Sequence, residues 1–320
     1  MSVLVCGSMT FDTIMGFDGD FSSHVLPEHM DVFNVAFTAN TMRKEYGGCA
    51  GNICYGLSLL GCESYPVATV GQDFGLYFDR MKEMGVPSSY IKVVENTFTA
   101  QSFITTDRSG NQFATFYPGA MIYSDSQNVK GIVDHHGGIK MGVISPDSTN
   151  GMVRHASQFQ SLGVPFLFDP GQEVIALSKT QLVNFIAQAK WMIANAYEWQ
   201  VIKEVTGFDK AEMIDRLDAF IITRGGDGSE IHTKDDTLII EAVPVASMVD
   251  PTGCGDAYRA GVIYGLLNDL DWLTVGRIAS LMGAINAESS GAQNHRFTSN
   301  EFFNRYQEHF EAHVVKTINY

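Results

Sequence analysis

The chain has 320 residues, 45% of them apolar, with a formal charge of −15 and a pI near 4.9. That suffices for one large α/β domain, or a domain with an appendage. The acidic balance argues against a nucleic-acid surface, which needs basic patches, yet leaves room for one anionic ligand met by a few local donors.

The N-terminal residues lack a basic region followed by a long apolar run, so no signal peptide is expected. No uninterrupted run of about eighteen apolar residues occurs, so no membrane span is expected either. The five cysteines, Cys6, Cys49, Cys54, Cys62 and Cys254, are odd in number and show no paired spacing, which fits reduced thiols in a cytoplasm. No Cys/His set has zinc spacing, and His135-His136 reads as a solvated loop pair rather than a metal site.

Residues 3–6 form a short apolar strand ended by Gly7-Ser8. From Gly16 to Tyr46 the apolar residues Phe17, Phe21, Val25 and Leu26 are scattered and Pro27 breaks any long helix. Phe33, Val35 and Phe37 then alternate at strand spacing, so this stretch reads as short strands and a loop. Gly47-Gly48-Cys49-Ala50-Gly51-Asn52 opens a helix that buries Ile53, Tyr55, Leu57, Leu59 and Leu60 and stops at Gly61. A strand over 66–71 and a helix over 77–84 follow. Residues 98–106 and 112–117 flank Asp107-Arg108-Ser109-Gly110-Asn111, a hairpin signal.

From about residue 121 strand-like runs at 141–144, 165–168, 191–194, 220–223 and 238–245 alternate with helical runs. Strands separated by helices pair in parallel, which predicts a doubly wound, mostly parallel sheet flanked by helices. The β-rich stretches before residue 121 break that rhythm and read as one small separate sheet, a lid. The expected division is 1–12, 47–96 and 121–320 for the large α/β domain, with 13–46 and 97–120 for the lid. An exposed lid has unpaired strand edges, which a homodimer through the lid covers.

The segment Asp250-Pro251-Thr252-Gly253-Cys254-Gly255-Asp256 precedes a long apolar helix. Its glycines let the backbone turn tightly and approach a ligand with no Cβ in the way. The N–H groups of Gly253, Cys254 and Gly255 then stand free at a helix N-terminus, where donors and dipole suit a phosphate. Asp256 lies in the first turn of that helix. It is either an N-terminal cap or the general base of a phosphoryl transfer, and the glycine turn beside it favours the base.

The 249–261 segment resembles the C-terminal signature of the ribokinase (PfkB) family, D-T-x-G-A-G-D-x-F, with Pro251, Cys254 and Tyr258 as departures. Gly47-Gly48-Cys49-Ala50-Gly51-Asn52 resembles the family's G-G-x-x-x-N element, Asn195-Ala196-Tyr197-Glu198 its N-x-x-E element, and Thr223-Arg224-Gly225-Gly226-Asp227-Gly228 its T-x-G-x-x-G loop. These elements stand in the family's order over nearly the whole chain. Within the family the sequence is most similar to bacterial adenosine and nucleoside kinases. Leu26-Pro27-Glu28-His29, Thr105-Thr106-Asp107, Phe116-Tyr117-Pro118-Gly119-Ala120-Met121 and Asp169-Pro170-Gly171-Gln172 carry that similarity.

The resemblance implies an ATP-dependent kinase acting on the 5′-hydroxyl of a purine nucleoside. It implies Asp256 as base and Gly253, Cys254 and Gly255 as anion hole. Ser8, Asp12, Gly48 and Asn52 bind the substrate, the last three at its ribose hydroxyls; Phe116 stacks on the base and Gln172 bonds beside it. Asn195 and Glu198 lie near the ATP phosphates, Glu198 reaching Mg2+ through water. Thr223, Gly225 and Gly228 border the ATP ribose and phosphates, and Asn286 its adenine. Asp250 and Thr252 mark a site for a monovalent cation such as K+.

Read without the resemblance, these residues have plainer roles: Asp12 a turn residue, Asn52 a cap, Phe116 core, and N-x-x-E a capped helix start. Ser102 and Ala176 stand where some adenosine kinases have a second aromatic and a basic residue, and Glu173 follows Gln172. The base pocket is therefore expected to admit inosine or guanosine as well as adenosine. Two rivals remain: a sugar kinase on the same scaffold, and a silent nucleoside-binding module. An NAD-binding protein is disfavoured because no G-x-G-x-x-G follows the first strand.

Overall fold

The structure is a computed structural model that describes residues 2–24 and 36–310. In chain order the first half contains β1 (Ser2–Cys6), β2 (Thr10–Gly16), β3 (Thr41–Gly47), α1 (Cys49–Leu59), β4 (Glu63–Val70), α2 (Gly75–Met84), β5 (Ile91–Val93), β6 (Ala100–Thr106), β7 (Gln112–Tyr117) and α3 (Val129–His136). The second half contains β8 (Ile139–Ile144), α4 (Thr149–Leu162), β9 (Phe166–Phe168), α5 (Lys179–Gln188), β10 (Trp191–Asn195), α6 (Ala196–Thr206), α7 (Lys210–Arg216), β11 (Ala219–Thr223), β12 (Ser229–Thr233), β13 (Thr237–Ile240), α8 (Cys254–Leu267), α9 (Trp272–Ala287) and α10 (Ser299–Phe310).

Nine strands make one sheet in the order β13-β12-β11-β10-β9-β8-β1-β4-β5. Alternation along β1 sends Val3 and Val5 into an apolar layer shared with α1, α8 and α9, and Leu4 and Cys6 into a layer shared with α4, α5 and α6. Both faces are covered, which is why these strands read as continuous apolar runs rather than alternating ones. The chain leaves β1 in one direction to β4 and β5, and in the other to β8, β9, β10 and β11. Ligands gather at the carboxyl ends of strands beside such a switch point, here between β1 and β8.

The pairing is parallel from β5 to β11, as expected, but the sheet ends in an antiparallel hairpin. The single strand expected over 238–245 is instead two, β12 and β13. Only five residues follow Thr223 before β12, too few for a crossover helix, so the strand must turn back.

Four strands form a second sheet, β3-β2-β6-β7, including the expected β6–β7 hairpin. It begins at Thr10, so it takes in Asp12. Phe33 and Val35, and the Leu26–His29 stretch, lie outside the described residues. Phe37 belongs to no strand; its ring packs 5.0 Å from Phe17 and 4.7 Å from Phe21, while Phe21 meets Phe113 at 4.6 Å. The scattered phenylalanines therefore form an aromatic cluster against β7, and the paired strand falls at β3 instead. His135 and His136 end α3 rather than occupying a loop, with His136 edge-on to Tyr65.

No helix among the described residues is long and apolar enough to cross a membrane.

Candidate active site

A cavity of about 410 Å³ lies between the two sheets, lined by Ser8, Thr10, Asp12, Gly48, Cys49, Asn52, Ser102, Phe116, Met121, Pro146, Gln172 and Glu173. Ser8 follows β1 and Pro146 follows β8, so the cavity sits at the switch point. The smaller sheet supplies one wall. Its register sets Glu45, Asp12, Ser102 and Phe116 side by side across β3, β2, β6 and β7. Asp12 is thus a strand residue facing the cavity, not a turn residue. Burial raises its carboxyl, aided by the charge of Glu45 and opposed by hydrogen bonds from Ser102 and Thr10. Phe116 is 49% exposed, so the ring is a wall of the cavity and not core. Burial also raises the carboxyl of Glu173.

Gly48 joins β3 to α1 at φ 88° and ψ 137°, and Asn52 lies one turn into the helix, its amide bonded to the Gly48 carbonyl. Asn52 is therefore not a cap. Its Oδ1 accepts from Gln293 Nε2 at 2.9 Å, and its Nδ2 donates to Asp256 Oδ2 at 2.8 Å. Gln293 is fixed in turn by Tyr77, whose hydroxyl donates to the Gly47 carbonyl at 2.9 Å.

The packing of α1 on α8 sets this contact. A Cβ on Gly56 would stand 2.7 Å from the Ala260 Cβ, so the helices touch backbone to backbone there. Asn52 and Asp256 lie four residues earlier on each helix, one turn along the same faces. Gly56→Val is expected to push α8 away and lower turnover about tenfold or more, with the Tm falling as well. Steady-state kinetics and thermal melting check this.

Asp256 does not cap its helix: the N-cap is Gly253 and no side chain caps it. Burial pushes the Asp256 carboxyl up to about 6, opposed by Arg259 and by hydrogen bonds from Asn52 and Cys49, with the Asp169 charge adding to the rise. The Cys49 thiol, itself pushed up by burial and the charges of Asp256 and Asp169, stays neutral and serves as a donor. Gly253 adopts φ 83°, the left-handed region open to glycine. The amides of Gly253, Gly255 and Asp256 find no acceptor among the described residues. That of Cys254 does: it closes a turn on the Pro251 carbonyl at 3.2 Å. The expectation of three free amides at Gly253, Cys254 and Gly255 is corrected accordingly, because the tight bend that frees its neighbours consumes this one.

Sequence reasoning passed over Arg259, which is 6% exposed in the same helix. It forks onto Asp169, donates to the Gly255 carbonyl at 3.0 Å, and lies 4.0 Å from Glu198. An arginine inside Ala257-Tyr258-Arg259-Ala260-Gly261 was the available signal, since a buried guanidinium needs an acid partner.

The expected nucleotide residues gather at the carboxyl ends of β10 and β11, where the register pairs Asn195 with Thr223. Asn195 and Glu198 form a capping box: Glu198 N–H donates to Asn195 Oδ1, and the Asn195 amide and Nδ2 donate to the Glu198 carboxylate, all at 2.7–2.8 Å. Burial, reinforced by Asp169, raises the Glu198 carboxyl against the pull of Arg259. Gly225 and Gly228 take φ 57° and 83° in the turn after β11, closed by Arg224 N–H on the Gly228 carbonyl at 2.8 Å.

Two expected ligand-binding residues are engaged by the protein itself. Asn286 is 0% exposed, and its Nδ2 points to the Ala292 carbonyl and to His295 Nδ1 behind the Gly253 turn. It props that turn from behind and offers no face to an adenine. The Asp250 carboxylate, expected with Thr252 to hold a monovalent cation, has partners within the protein. It accepts from the amides of Thr252 and Gly291 at 2.9 and 3.0 Å and from Arg43 Nη2 of β3 at 3.2 Å. A guanidinium already neutralises the carboxylate expected, with Thr252, to hold the ion.

Residues 21–298 match the family model described as pfkB family carbohydrate kinase. The chain is 40% identical to a nucleoside kinase of Burkholderia thailandensis solved in complex with inosine, with a TM-score of 0.87 over 97% of this chain and 98% of that one. A nucleoside kinase of Methanocaldococcus jannaschii is 28% identical over 278 residues, covering 86% of this chain and 90% of the relative. One from Methanothermobacter thermautotrophicus is 30% identical over 272 residues, covering 83% and 86%.

Proposed function

The chain belongs to the PfkB carbohydrate kinase family, whose members transfer a phosphoryl group to a hydroxyl, and on that premise we propose that it is a nucleoside kinase. It moves the γ-phosphoryl of ATP to the 5′-hydroxyl of a purine nucleoside. The observation that carries the reading is the Asp256 carboxylate, held by Asn52, itself a lining residue of a cavity whose walls include the half-exposed ring of Phe116. The similarity to nucleoside kinases over nearly the full chain supports it.

In this reading the ribose hydroxyls meet Asp12, an acceptor for two vicinal donors, and the spare Asn52 Nδ2 hydrogen. The base lies against Phe116, near Gln172 and Glu173. As the 5′-oxygen bonds to the γ-phosphorus, its proton passes to Asp256, the bond from that phosphorus to the bridging oxygen breaks, and ADP leaves. Developing charge on the equatorial oxygens meets the amides of Gly253, Gly255 and Asp256 at the positive end of α8. Each such donor is worth roughly 3 kcal/mol. The smaller sheet acts as a lid, keeping water from competing as acceptor.

Mg2+ carried with ATP fits the donor set. Glu198 is a carboxylate held by Asn195, with lone pairs left to accept from metal-bound water, and no three metal-binding side chains form a cage among the described residues. When bound, the ion neutralises phosphate charge.

No basic side chain lines the cavity among the described residues, and Asp12 and Glu173 do, which disfavours a phosphorylated sugar. ADP release measured with adenosine, inosine, guanosine, ribose, fructose and fructose 6-phosphate tests the proposal. Turnover of the nucleosides well above the sugars is expected, and a preference for any sugar overturns it. Phe116→Ala is expected to raise the nucleoside KM about tenfold or more, in line with roughly 1–3 kcal/mol per stacked base. Its Tm should hold, since the ring is half exposed.

A further inference from the structure

Arg259 is the only buried lysine or arginine among the described residues. Its guanidinium joins three chain segments that the sequence keeps far apart. Nε and Nη2 fork onto Asp169 after β9, the latter at 2.6 Å. Nη1 holds the Gly255 carbonyl in the first turn of α8 at 3.0 Å. Nη2 stands 4.0 Å from Glu198 Oε2 at the start of α6. The loop that begins at Asp169 carries Gln172 and Glu173 into the cavity, and the α6 start carries Asn195. The base side, the phosphate turn and the nucleotide side thus meet at one cation.

Stability does not explain this arrangement, because an apolar set of similar volume serves as well or better than a buried ion pair. We propose that Arg259 is a positioning residue for phosphoryl transfer: it clamps the 253–256 turn to the Asp169–Gln172 loop and the Asn195–Glu198 helix start, and supplies the single buried positive charge shared by three carboxylates. The proposal rests on the reading of Asp256 as base, which Asp256→Asn decides separately.

The groups facing the cluster are Asp169, Glu198 from α6, Cys49 from α1, and Cys254, Asp256 and Tyr258 from α8. Arg259 is the one cation among these groups and alone opposes the carboxylates by charge. Without it, Asp256 sits beside Asp169 and Glu198 with only the hydrogen bonds from Asn52 and Cys49 to favour its ionised form, so its proton is released only at higher pH. A clamp that merely held the fold would change the melting temperature and leave the pH dependence of turnover in place.

The test compares Arg259→Gln, Arg259→Lys and the apolar double variant Arg259→Met/Asp169→Leu. Melting, nucleoside affinity by calorimetry, and kcat from about pH 5.5 to 9 are measured on each. Arg259→Gln is expected to bind nucleoside within about threefold of wild type, to lose about thirtyfold or more in kcat at neutral pH, and to move the acid limb of kcat upward by about one pH unit. Arg259→Lys keeps the charge without the fork. It is expected to leave the limb in place while kcat stays reduced. Should Arg259→Gln not fold, the double variant supplies a packed protein, expected to bind nucleoside with kcat lowered about tenfold or more. A folded Gln or double variant with wild-type kcat overturns the proposal. So does a Gln variant whose acid limb coincides with that of the wild type.

Discussion

Asp256→Asn is expected to leave a folded protein that binds nucleoside within a few-fold of wild type and turns over roughly 10²–10⁴ times more slowly, the range of a general base. The amide keeps an oxygen to accept from Asn52 Nδ2, so the cavity floor stays in shape. The same substitution should raise thermal stability at pH 7.5. Burial holds the native carboxyl at about 6, above its unfolded value, so the native state binds the proton more tightly than the unfolded chain. Ionised Asp256 therefore destabilises the fold above about pH 6, by roughly 1–3 kcal/mol. That penalty fades as pH falls from about 6 to about 4. The advantage of the Asn variant should shrink over the same interval. Wild-type kcat should fall on the acid side near pH 6 for the same reason. Near-normal turnover in the variant removes Asp256 from the role of base.

Gly48→Ala is expected to be the most damaging small substitution outside α8. At φ 88° and ψ 137° the backbone occupies a region essentially closed to other residues. An added Cβ would stand 2.5 Å from the Met9 Cα and the Ser8 carbonyl oxygen and 2.7 Å from the Thr10 amide nitrogen. All three are backbone atoms, so no side-chain rotation relieves the overlap. The strand Thr10–Gly16 and the helix Cys49–Leu59 must separate, carrying Asp12 away from Asn52. We expect a loss of about 3–5 kcal/mol in stability and about a hundredfold or more in kcat/KM for nucleoside. A wild-type Tm and KM would show that the junction yields without cost.

The parts of the molecule that were legible in the sequence are those with local causes. The Asp107–Asn111 turn announces its hairpin, and the buried runs from Met141 to Thr223 alternate with helices at a spacing that parallel pairing requires. Gly253 and Gly255 announce a bend at a helix start, and Asp256 stands where such a bend is aimed. What stayed hidden depends on partners distant along the chain. The fork between Arg259 and Asp169 spans 90 positions, and the single hydrogen bond between Arg43 and Asp250 spans 207. Neither leaves a periodic trace. Asn286 failed as a nucleotide contact because burial against His295 cannot be read from a motif position. The strand at Thr41–Gly47 was missed because most of its residues are exposed and Arg43, Lys44 and Glu45 at its centre are charged, so hydrophobic alternation is absent and pairing with β2 alone defines it.

A nucleoside enters the cavity uncharged and leaves it as a dianion. On the function proposed above, Asp12 and Glu173 on the walls would accept from the sugar's hydroxyls and the base's N–H groups, yet repel the new phosphate. Expulsion of the monophosphate is thereby built into the lining, and accumulated product should be a weak inhibitor compared with ADP.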